Sequence, residues 1–546
     1  MDNQLFDPKP PPLDIKRVLW AAVLISGVLM LHGRLFPPSP VTKQQVNQKS
    51  LAQTSVRPDD KQEKEPLQSS KNPTKKQPEI PLIKWEFIGK AYQATLSNQG
   101  GQLTHLTLTG YSPPVILTGH PSTQESLLAL VSRNSQVTLN AASMYEVTHQ
   151  DKNSVILRHT TAEDVRITRR YDFSREQFVL TQTIHIQNAS SQARLIALDT
   201  VMKDAQGEEK SKKSWFSPPK DDSKALCLTD SKPKRWTWDD LKEPTLQKGN
   251  ISYGGIDKRY FLLAAMPQDE RQNIIEACQV KRWQHDHAKG TAIHLQHPQQ
   301  QIDPGQELTW NMQIYVGPKR LSLLQQAGHS LQNCVDFGWF GVLSRPMLWM
   351  LVQFNTFAHN FGVAIILLTL VIKLLTFPLT YKSFASMQQM KTISPQLKQL
   401  QKQYGHDRAL MGQKQMELYK QTGINPMAGC LPLLVQMPVW FALYQMLWNS
   451  VELYGQPLGF WITDLTKPDP YYTLPLVMGI SLFVQQALQP TMQDQPQMKY
   501  LMWGMPIALT GVMINMPAGL SLYILTNNLL TILQQAYIKR IHTSPV

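Results

Sequence analysis

Hydrophobic and polar residues are distributed unevenly along the 546 residues of this chain. Between Ile83 and about Gly317 they alternate in short runs, such as Gln102 to Leu108 and Val165 to Tyr171, with turn residues between the runs. The C-terminal part carries long apolar runs instead. Short runs with period-two alternation are typical of antiparallel β-strands, whereas apolar runs of about 20 residues are typical of transmembrane helices. The pattern therefore predicts a large antiparallel β-sandwich and an α-helical polytopic membrane domain.

Six apolar segments are predicted to cross the membrane. The first follows Lys16 and Arg17 and lacks a small-residue cleavage site, so we interpret it as an uncleaved anchor. A basic loop follows the second span and an acidic loop follows the third, which places the first loop in the cytosol and the second outside. The predicted segments are the cytosolic N-terminus 1–17, first span 18–36, disordered tether 37–80, β-sandwich 81–335, interfacial helix 336–346, second span 347–381, cytosolic helical hairpin 382–424, third span 425–452, outer loop 453–470, fourth span 471–490, cytosolic loop 491–499, fifth span 500–516, sixth span 518–538 and short basic cytosolic tail 539–546.

The segment between the second and third spans has the spacing of an amphipathic helical hairpin. Gly405 is placed to end its first helix, Asp407 to cap its second helix, and Gly423 to end that helix. Flexible methionines suit a surface that accepts varied apolar partners, but they also suit packing between the two helices of the hairpin, and both interpretations stay open. The methionines concerned are Met387, Met390, Met411 and Met416.

Charge and cysteine content narrow the class of protein. The formal net charge of +14 first suggests nucleic acid, but much of the excess lies beside apolar spans, where membrane topology explains it. We therefore expect no DNA binding. The four cysteines lack the C-x-x-C spacing of a redox or zinc site. A disulfide between Cys227 and Cys278 is one interpretation; we favour four separate structural cysteines.

No motif for catalysis is present, since the chain lacks a phosphate-binding loop, an H-E-x-x-H helix, a G-x-S-x-G elbow and a dinucleotide fingerprint. We therefore predict no catalytic residue, no metal ligand and no cofactor. A solute transporter would carry intramembrane carboxylates and internal repeats, neither of which is evident. An exported carbohydrate-active enzyme would leave the last five spans unexplained.

A single lysine, Lys373, lies inside the apolar stretch from Phe361 to Thr380, which contains no acidic residue to neutralise it. A cation on a membrane-spanning helix costs roughly 2.5 to 3.5 kcal/mol even on scales from insertion experiments, which give the lowest values, so this lysine is a functional candidate. Thr369 precedes it by one helical turn and shares its face. Other polar residues in predicted spans could act with it or could simply join neighbouring helices by hydrogen bonds; they are Gln436, Tyr523, Asn527 and Asn528.

The chain resembles the YidC membrane-protein insertase family, in its Gram-negative six-span form. The resemblance is carried by FPLTYKSFASMQQMK (377–391), NPMAGCLPLLVQMPVWFALYQML (425–447), DPYYTLPLVMG (469–479) and MPAGLSLYILTNNLLTILQQ (516–535). It implies a periplasmic β-supersandwich akin to sugar-binding folds, a five-helix core behind the anchor span, and an inner-membrane location with both termini cytosolic. It also implies insertion and folding of nascent membrane-protein clients, alone or with the Sec translocon, with the lipid bilayer and the ribosome as further partners.

The resemblance further implies a polar groove that carries a positive residue on the second span, a position that Lys373 occupies. Relatives commonly have arginine there, and lysine keeps the charge but lacks the planar five-donor group. Relatives also have adjacent tyrosines in the last span, whereas here Tyr523 is followed by Ile524. An assembly chaperone without insertase activity is the alternative function, because it would use the same groove.

Overall fold

The computed structural model describes residues 80–118, 126–133, 136–206, 223–229, 232–269, 274–285, 288–423, 431–488 and 496–543. These residues belong to one compact unit, 79–546. The predicted cytosolic N-terminus and first span lie outside the described residues, as does the predicted tether apart from its last residue.

The alternating runs form β-strands in which every second side chain is buried, as in Val165–Phe173. Within the described residues the strands are β1 Lys84–Ile88, β2 Tyr92–Ser97, β3 Gln102–Leu108, β4 Val115–Thr118, β5 Ser126–Ser132, β6 Glu146–Gln150, β7 Ser154–Thr160, β8 Val165–Phe173, β9 Val179–Asn188, β10 Arg194–Ile196, β11 Leu198–Gln206, β12 Lys224–Thr229, β13 Lys232–Trp236, β14 Thr245–Lys248, β15 Ile251–Asp257, β16 Phe261–Pro267, β17 Ala277–His285, β18 Ala288–Gln296, β19 Gln300–Ile302 and β20 Glu307–Pro318.

Two nine-stranded sheets enclose the core of the domain, counted over the described residues. The first has the order β1-β2-β3-β5-β11-β18-β17-β14, with β4 beside β3, and the second has the order β13-β12-β15-β16-β20-β9-β8-β7-β6. Buried side chains from both sheets, such as Leu130 and Ile184, belong to one hydrophobic cluster. The predicted antiparallel β-sandwich is therefore confirmed.

Cys227 on β12 and Cys278 on β17 form a disulfide, which joins the second sheet to the first. Our expectation of four separate structural cysteines is therefore wrong. Spacing could not reveal the pair, because the two residues are 51 positions apart and are brought together only by the sandwich. Cys334 is buried as a free thiol, and its sulfur lies 3.0 Å from the hydroxyl oxygen of Tyr253.

Helices follow the sandwich along the chain. They are α1 Leu321–Ala327, α2 Gly341–Ala358, α3 Phe361–Thr392, α4 Ser394–Tyr404, α5 Arg408–Thr422, α6 Leu431–Asn449, α7 Thr473–Leu488, α8 Pro496–Met513 and α9 Ala518–Thr543, with 3-10 turns at Leu331–Cys334, Gly338–Phe340 and Val451–Leu453. Within the described residues, Phe361–Met390 is the helical stretch long and apolar enough to cross a membrane, and Thr473–Leu488 and Gly504–Met513 are shorter apolar helices.

The predicted boundary between the interfacial helix and the second span, at residues 346 and 347, is wrong because no helix ends there. Pro346 lies inside α2, which continues to Ala358. The helix ends at His359, whose φ of 50° is left-handed. Asn360 then begins α3, because its Oδ1 accepts the backbone N–H of Val363 at 3.1 Å. The interfacial segment is thus a complete helix, separate from the helix that carries Lys373.

The hairpin has the predicted helix caps, but its first helix begins later in the chain than predicted. Asp407 Oδ1 accepts the backbone N–H groups of Ala409 and Leu410 at 2.9 and 3.1 Å, and Gly423 ends α5 with a left-handed φ of 66°. These two assignments are confirmed. The first hairpin helix is not separated from the second span at residue 381, since α3 runs unbroken to Thr392 and the chain turns at Ile393.

The loop after α6 packs against the sandwich. The ring of Tyr454 meets the rings of Tyr111 and Phe261 edge-on, with centroids 5.5 and 5.2 Å apart. Such aromatic pairs contribute about 0.5–1.5 kcal/mol each beyond the area that they bury. The C-terminal end of α6 therefore faces the sandwich.

The disulfide generates a stability prediction. Closing a loop of this length removes entropy from the unfolded chain that corresponds to roughly 4 kcal/mol. We expect the double variant Cys227→Ala/Cys278→Ala, and the wild-type protein in reducing agent, to unfold at a clearly lower urea concentration. The double variant itself should not respond to reducing agent, and equal midpoints for oxidised and reduced wild-type protein would contradict the prediction.

A buried histidine generates a pH prediction. The Nδ1 of His297 lies 2.7 Å from the carbonyl oxygen of Ile274, its Nε2 lies 2.8 Å from Thr200 Oγ1, and its ring stacks on Trp310. Because a carbonyl only accepts, Nδ1 carries the proton and the Thr200 hydroxyl donates to Nε2. Burial disfavours the charged ring and lowers the pKa of His297 to about 4.

The neutral ring of His297 therefore contributes stability that is fully present above its unfolded pKa of about 6.5 and is lost as the pH falls towards 4. We expect the urea midpoint of the sandwich to fall between pH 7 and pH 5. In His297→Leu the midpoint should be lower at pH 7 but should change less over this interval. An identical pH slope in the variant would show that other groups cause the loss.

Candidate functional site

Lys373 lies on the inward face of α3. The opposite face carries an exposed apolar residue at every third or fourth position, as expected of a surface against lipid. These residues are Val363, Ile366, Leu370 and Leu374. Lys373 itself is 5% exposed. Its charge is thus buried among helices, where a lone cation needs polar partners.

The ammonium group of Lys373 has a hydroxyl partner. Its Nζ donates to Thr531 Oγ1 on α9 at 2.8 Å, and the Thr531 hydroxyl donates to the carbonyl oxygen of Asn527 at 2.6 Å. The Nε2 of Gln534 donates to the backbone oxygen of Lys373 at 3.4 Å. No carboxylate of the described residues lies within 4.0 Å of Nζ. The charge is therefore solvated by neutral dipoles.

Two further predicted residues join this network. Gln436 on α6 donates from Nε2 to Asn527 Oδ1 at 3.2 Å, and the hydroxyl of the buried Tyr523 lies within hydrogen-bonding reach of Gln436. Polar groups from α3, α6 and α9 thus form one connected path from Lys373 to Gln436. The residues lie far apart in sequence, so only the packing of the three helices brings them together.

Thr369 and Asn528 are buried nearby but have other partners. The hydroxyl of Thr369 donates to the carbonyl oxygen of Ile365 in its own helix at 2.7 Å. The Nδ2 of Asn528 donates to Ser481 Oγ on α7 at 3.0 Å. Asn528 therefore joins α9 to α7, which is the helix-joining role left open for it.

Sequence analysis missed Thr531 and Ser481. Thr531 follows Asn527 by one helical turn, so its position on the same face was a readable signal. Its contact with Lys373 was not readable, because 158 residues separate the two. Ser481 gave no signal beyond being a small polar residue in an apolar segment.

Several buried polar atoms around this network have no hydrogen-bond partner among the described residues. They belong to Gln485 on α7 and to Ser521, Gln534 and Gln535 on α9. A polar atom left unpaired in an apolar interior costs a few kcal/mol, so such atoms are normally hydrated or bound by a partner. The helices therefore enclose an interior suited to water or to polar segments of another chain.

The hairpin methionines are only partly available. Met390 and Met411 are half-buried, and Met416 is exposed over 52% of its surface, while the side chain of Met387 lies outside the described residues. Tyr419 is buried on α5 and Ile393 is buried between α3 and α4. Apolar packing of the hairpin thus rests largely on other residues, and Met416 is free to contact a partner.

Within the described residues, no group of three or more His, Cys, Asp or Glu side chains could hold a metal ion.

Comparison with known proteins covers both halves of the chain. Residues 85–350 match the family described as the YidC periplasmic domain, and residues 353–544 match the family described as the 60Kd inner membrane protein. A membrane protein insertase YidC of Geobacter sp. strain M21 is 33% identical over 464 residues, which are 82% of this chain and 84% of the relative. A membrane protein insertase YidC of Geotalea daltonii is 30% identical over 96% of this chain and 99% of the relative.

Among solved structures, a crystal structure titled as an active YidC insertase with its first transmembrane domain resolved covers 85% of this chain and 94% of its own, with 14% identity and a TM-score of 0.36. A putative aldose 1-epimerase of Escherichia coli covers 44% of this chain and all of its own, with 9% identity and a TM-score of 0.32. The sequence matches span most of this chain and most of each full-length relative. The chain therefore belongs to the YidC family of membrane protein insertases.

Proposed function

We propose that this chain inserts client membrane proteins through a polar groove between α3, α6, α7 and α9, with Lys373 at its centre. One observation carries the proposal: an ammonium ion is buried among apolar helices with a hydroxyl partner and with no described carboxylate within 4.0 Å. Unpaired amide atoms of Gln485, Gln534 and Gln535 lie on α7 and α9, which border the same groove. An ammonium group with one described acceptor suits a hydrated path for a polar segment, because water or that segment supplies its remaining partners.

Energetics support a groove that helps only the polar part of a client to cross the membrane. Each apolar residue of a client gains a few tenths of a kcal/mol on entering lipid, so a client segment of about 20 residues inserts downhill without nucleotide. The polar tail that must cross is the obstacle. Lys373 lies roughly 12 Å from the cytosolic end of its predicted span at 1.5 Å per residue, so a groove open to that depth shortens the hydrocarbon path. Its charge also attracts acidic groups of the tail.

The topology that we propose is multi-pass, with both termini and the hairpin in the cytosol and the sandwich in the periplasm. Loop charges support this orientation, since the hairpin segment is rich in lysine. The Cys227–Cys278 disulfide also suits an oxidising compartment outside the cytosol. We further propose that the protein acts alone or with the Sec translocon, and that nascent chains reach it from the ribosome.

An assembly chaperone without insertase activity would use the same groove. Purified protein reconstituted alone into liposomes separates the two functions. We expect it to make a single-span client resistant to chemical extraction, with its tail protected inside the vesicle. Binding of the client without tail translocation would leave only the chaperone function.

The role of Lys373 is tested by substitutions that remove, reverse or keep its charge. We expect Lys373→Ala to slow insertion of a client with an acidic external tail by about tenfold, which corresponds to about 1.4 kcal/mol of lost stabilisation. Lys373→Glu should be worse, and Lys373→Arg should remain active because it keeps the charge. The control client has the same tail with its acidic residues made neutral, and Lys373→Ala should affect it less. Equal slowing of both clients would remove electrostatic attraction from the mechanism.

The role of the hairpin is tested by deletion and by one exposed side chain. Removing residues 387–421 should reduce crosslinking to nascent clients while the protein still accumulates in the membrane, because the deletion takes only the last six residues of α3 and leaves Lys373 and the other groove residues in place. Met416→Asp should reduce crosslinking by several-fold, and Met416→Leu, which keeps the apolar surface, should not. If deletion leaves crosslinking unchanged, the methionines serve only the hairpin itself.

A further inference from the structure

An exposed aromatic turn lies between α6 and α7, at residues 457–462 (PLGFWI). At its tip, Phe460 is 97% exposed. Its φ of 56° is left-handed, in a region that costs a bulky residue roughly 1–2 kcal/mol and that glycine occupies freely. Internal packing therefore does not explain a phenylalanine at this position, and a binding partner outside the chain would.

The turn is held in one conformation. Leu458 N–H donates to the Ile462 carbonyl oxygen and Ile462 N–H to the Gly459 carbonyl oxygen, both at 3.1 Å. Trp461 Nε1 donates to Asp469 Oδ1 at 3.0 Å. These bonds pair two backbone N–H groups of the turn and the indole N–H of Trp461, and they hold the tip residue Phe460 outward in a fixed position.

The same contacts fix the turn to the first residues of two apolar helices. Asp469 Oδ2 accepts the backbone N–H of Leu474 in the first turn of α7 at 2.7 Å. Asn360, which begins α3, donates from Nδ2 to the Leu458 carbonyl oxygen at 3.1 Å. The turn therefore lies beside the N-terminal ends of α3 and α7.

We propose that the 457–462 turn inserts Phe460 into the boundary between head groups and acyl chains of the leaflet that faces the sandwich. That side follows from Tyr454, which begins the same loop and packs on Tyr111 of the sandwich. Two other exposed aromatic residues lie at the same helix ends, Phe357 in the last turn of α2 and Tyr471 before α7, exposed by 80% and 69%. Tryptophan and tyrosine concentrate at this depth of a bilayer, and phenylalanine is among the residues that interfacial segments bury there.

The inserted turn would act as an anchor for α3 and α7 at the sandwich side of the bilayer. Their opposite halves, near Lys373 and Gln485, carry the polar groove groups. An anchor at one end lets those halves move against α6 without changing the depth of the helices. This inference rests on membership in an inner-membrane family and on the side of the sandwich, and it does not require that the groove transports anything.

The test is the depth of a fluorescent label in lipid. Cys334 and Cys430 are replaced by alanine, and the disulfide is kept. An environment-sensitive dye is attached to cysteine at position 460, or in the control at Thr463, which is exposed three residues further along the same loop. The labelled full-length proteins are reconstituted into phosphatidylethanolamine–phosphatidylglycerol nanodiscs, either plain or with a nitroxide on the acyl chain.

We expect the dye at 460 to emit at shorter wavelength than the dye at 463, to be quenched by the nitroxide lipid, and to be protected from aqueous iodide by several-fold. The dye at 463 should show the reverse. Iodide quenching of equal strength at both positions would overturn the proposal. Protection of the dye at 460 from both quenchers would also overturn it, because the turn would then be covered by protein. Client insertion is not part of the measurement, so its outcome is independent of the proposed function.

Discussion

The burial of one positive charge among apolar helices is the constraint on which the membrane domain depends. A carboxylate beside Lys373 could meet this constraint by neutralising the charge. It is instead satisfied by a chain of neutral dipoles, from Lys373 Nζ to Thr531 and on to the carbonyl oxygen of Asn527. Neutral dipoles leave the positive potential in place, so the site still attracts anions. A carboxylate would cancel that potential, on which the proposed attraction of an acidic client tail depends.

The two halves of the molecule meet different physical demands. The sandwich has a disulfide between its sheets, and the buried ring of His297 is paired at both nitrogens. Both halves retain buried polar atoms without described partners, such as Tyr92 Oη and Thr229 Oγ1 in the sandwich and both amide atoms of Gln535 in the helices. The halves differ in how a buried cation is paired: in the sandwich the guanidinium group of Arg169 donates to the carbonyl oxygens of Gly100 and Leu128 and lies near two tyrosine rings, whereas Lys373 has one described acceptor. Under the proposed function, a passing polar chain or water supplies the partners that Lys373 lacks.

Sequence analysis succeeded where structure is set by local rules. The alternation of Gln102 to Leu108 predicted β3 with its bounds, and Asp407 and Gly423 cap the hairpin helix as predicted. It failed where the decision is made by tertiary packing or by competition between nearby signals. The predicted boundary at residue 346 lies inside α2, whereas the break comes at His359 because Asn360 supplies the cap for the next helix. The partner of Lys373 and the disulfide depended on contacts between distant segments.

The network around Lys373 also bears on the choice between lysine and arginine at this position. A guanidinium group carries five donors in a fixed plane and an ammonium group carries three, so lysine leaves fewer buried donors to satisfy. Around Lys373 the described acceptor is one hydroxyl, Thr531 Oγ1, whose own proton is directed to Asn527. An ammonium group uses one of its three donors there and keeps two for water or for a client carboxylate. Lysine thus suits a site with one described acceptor, and under the proposed function its remaining donors are available to a crossing tail.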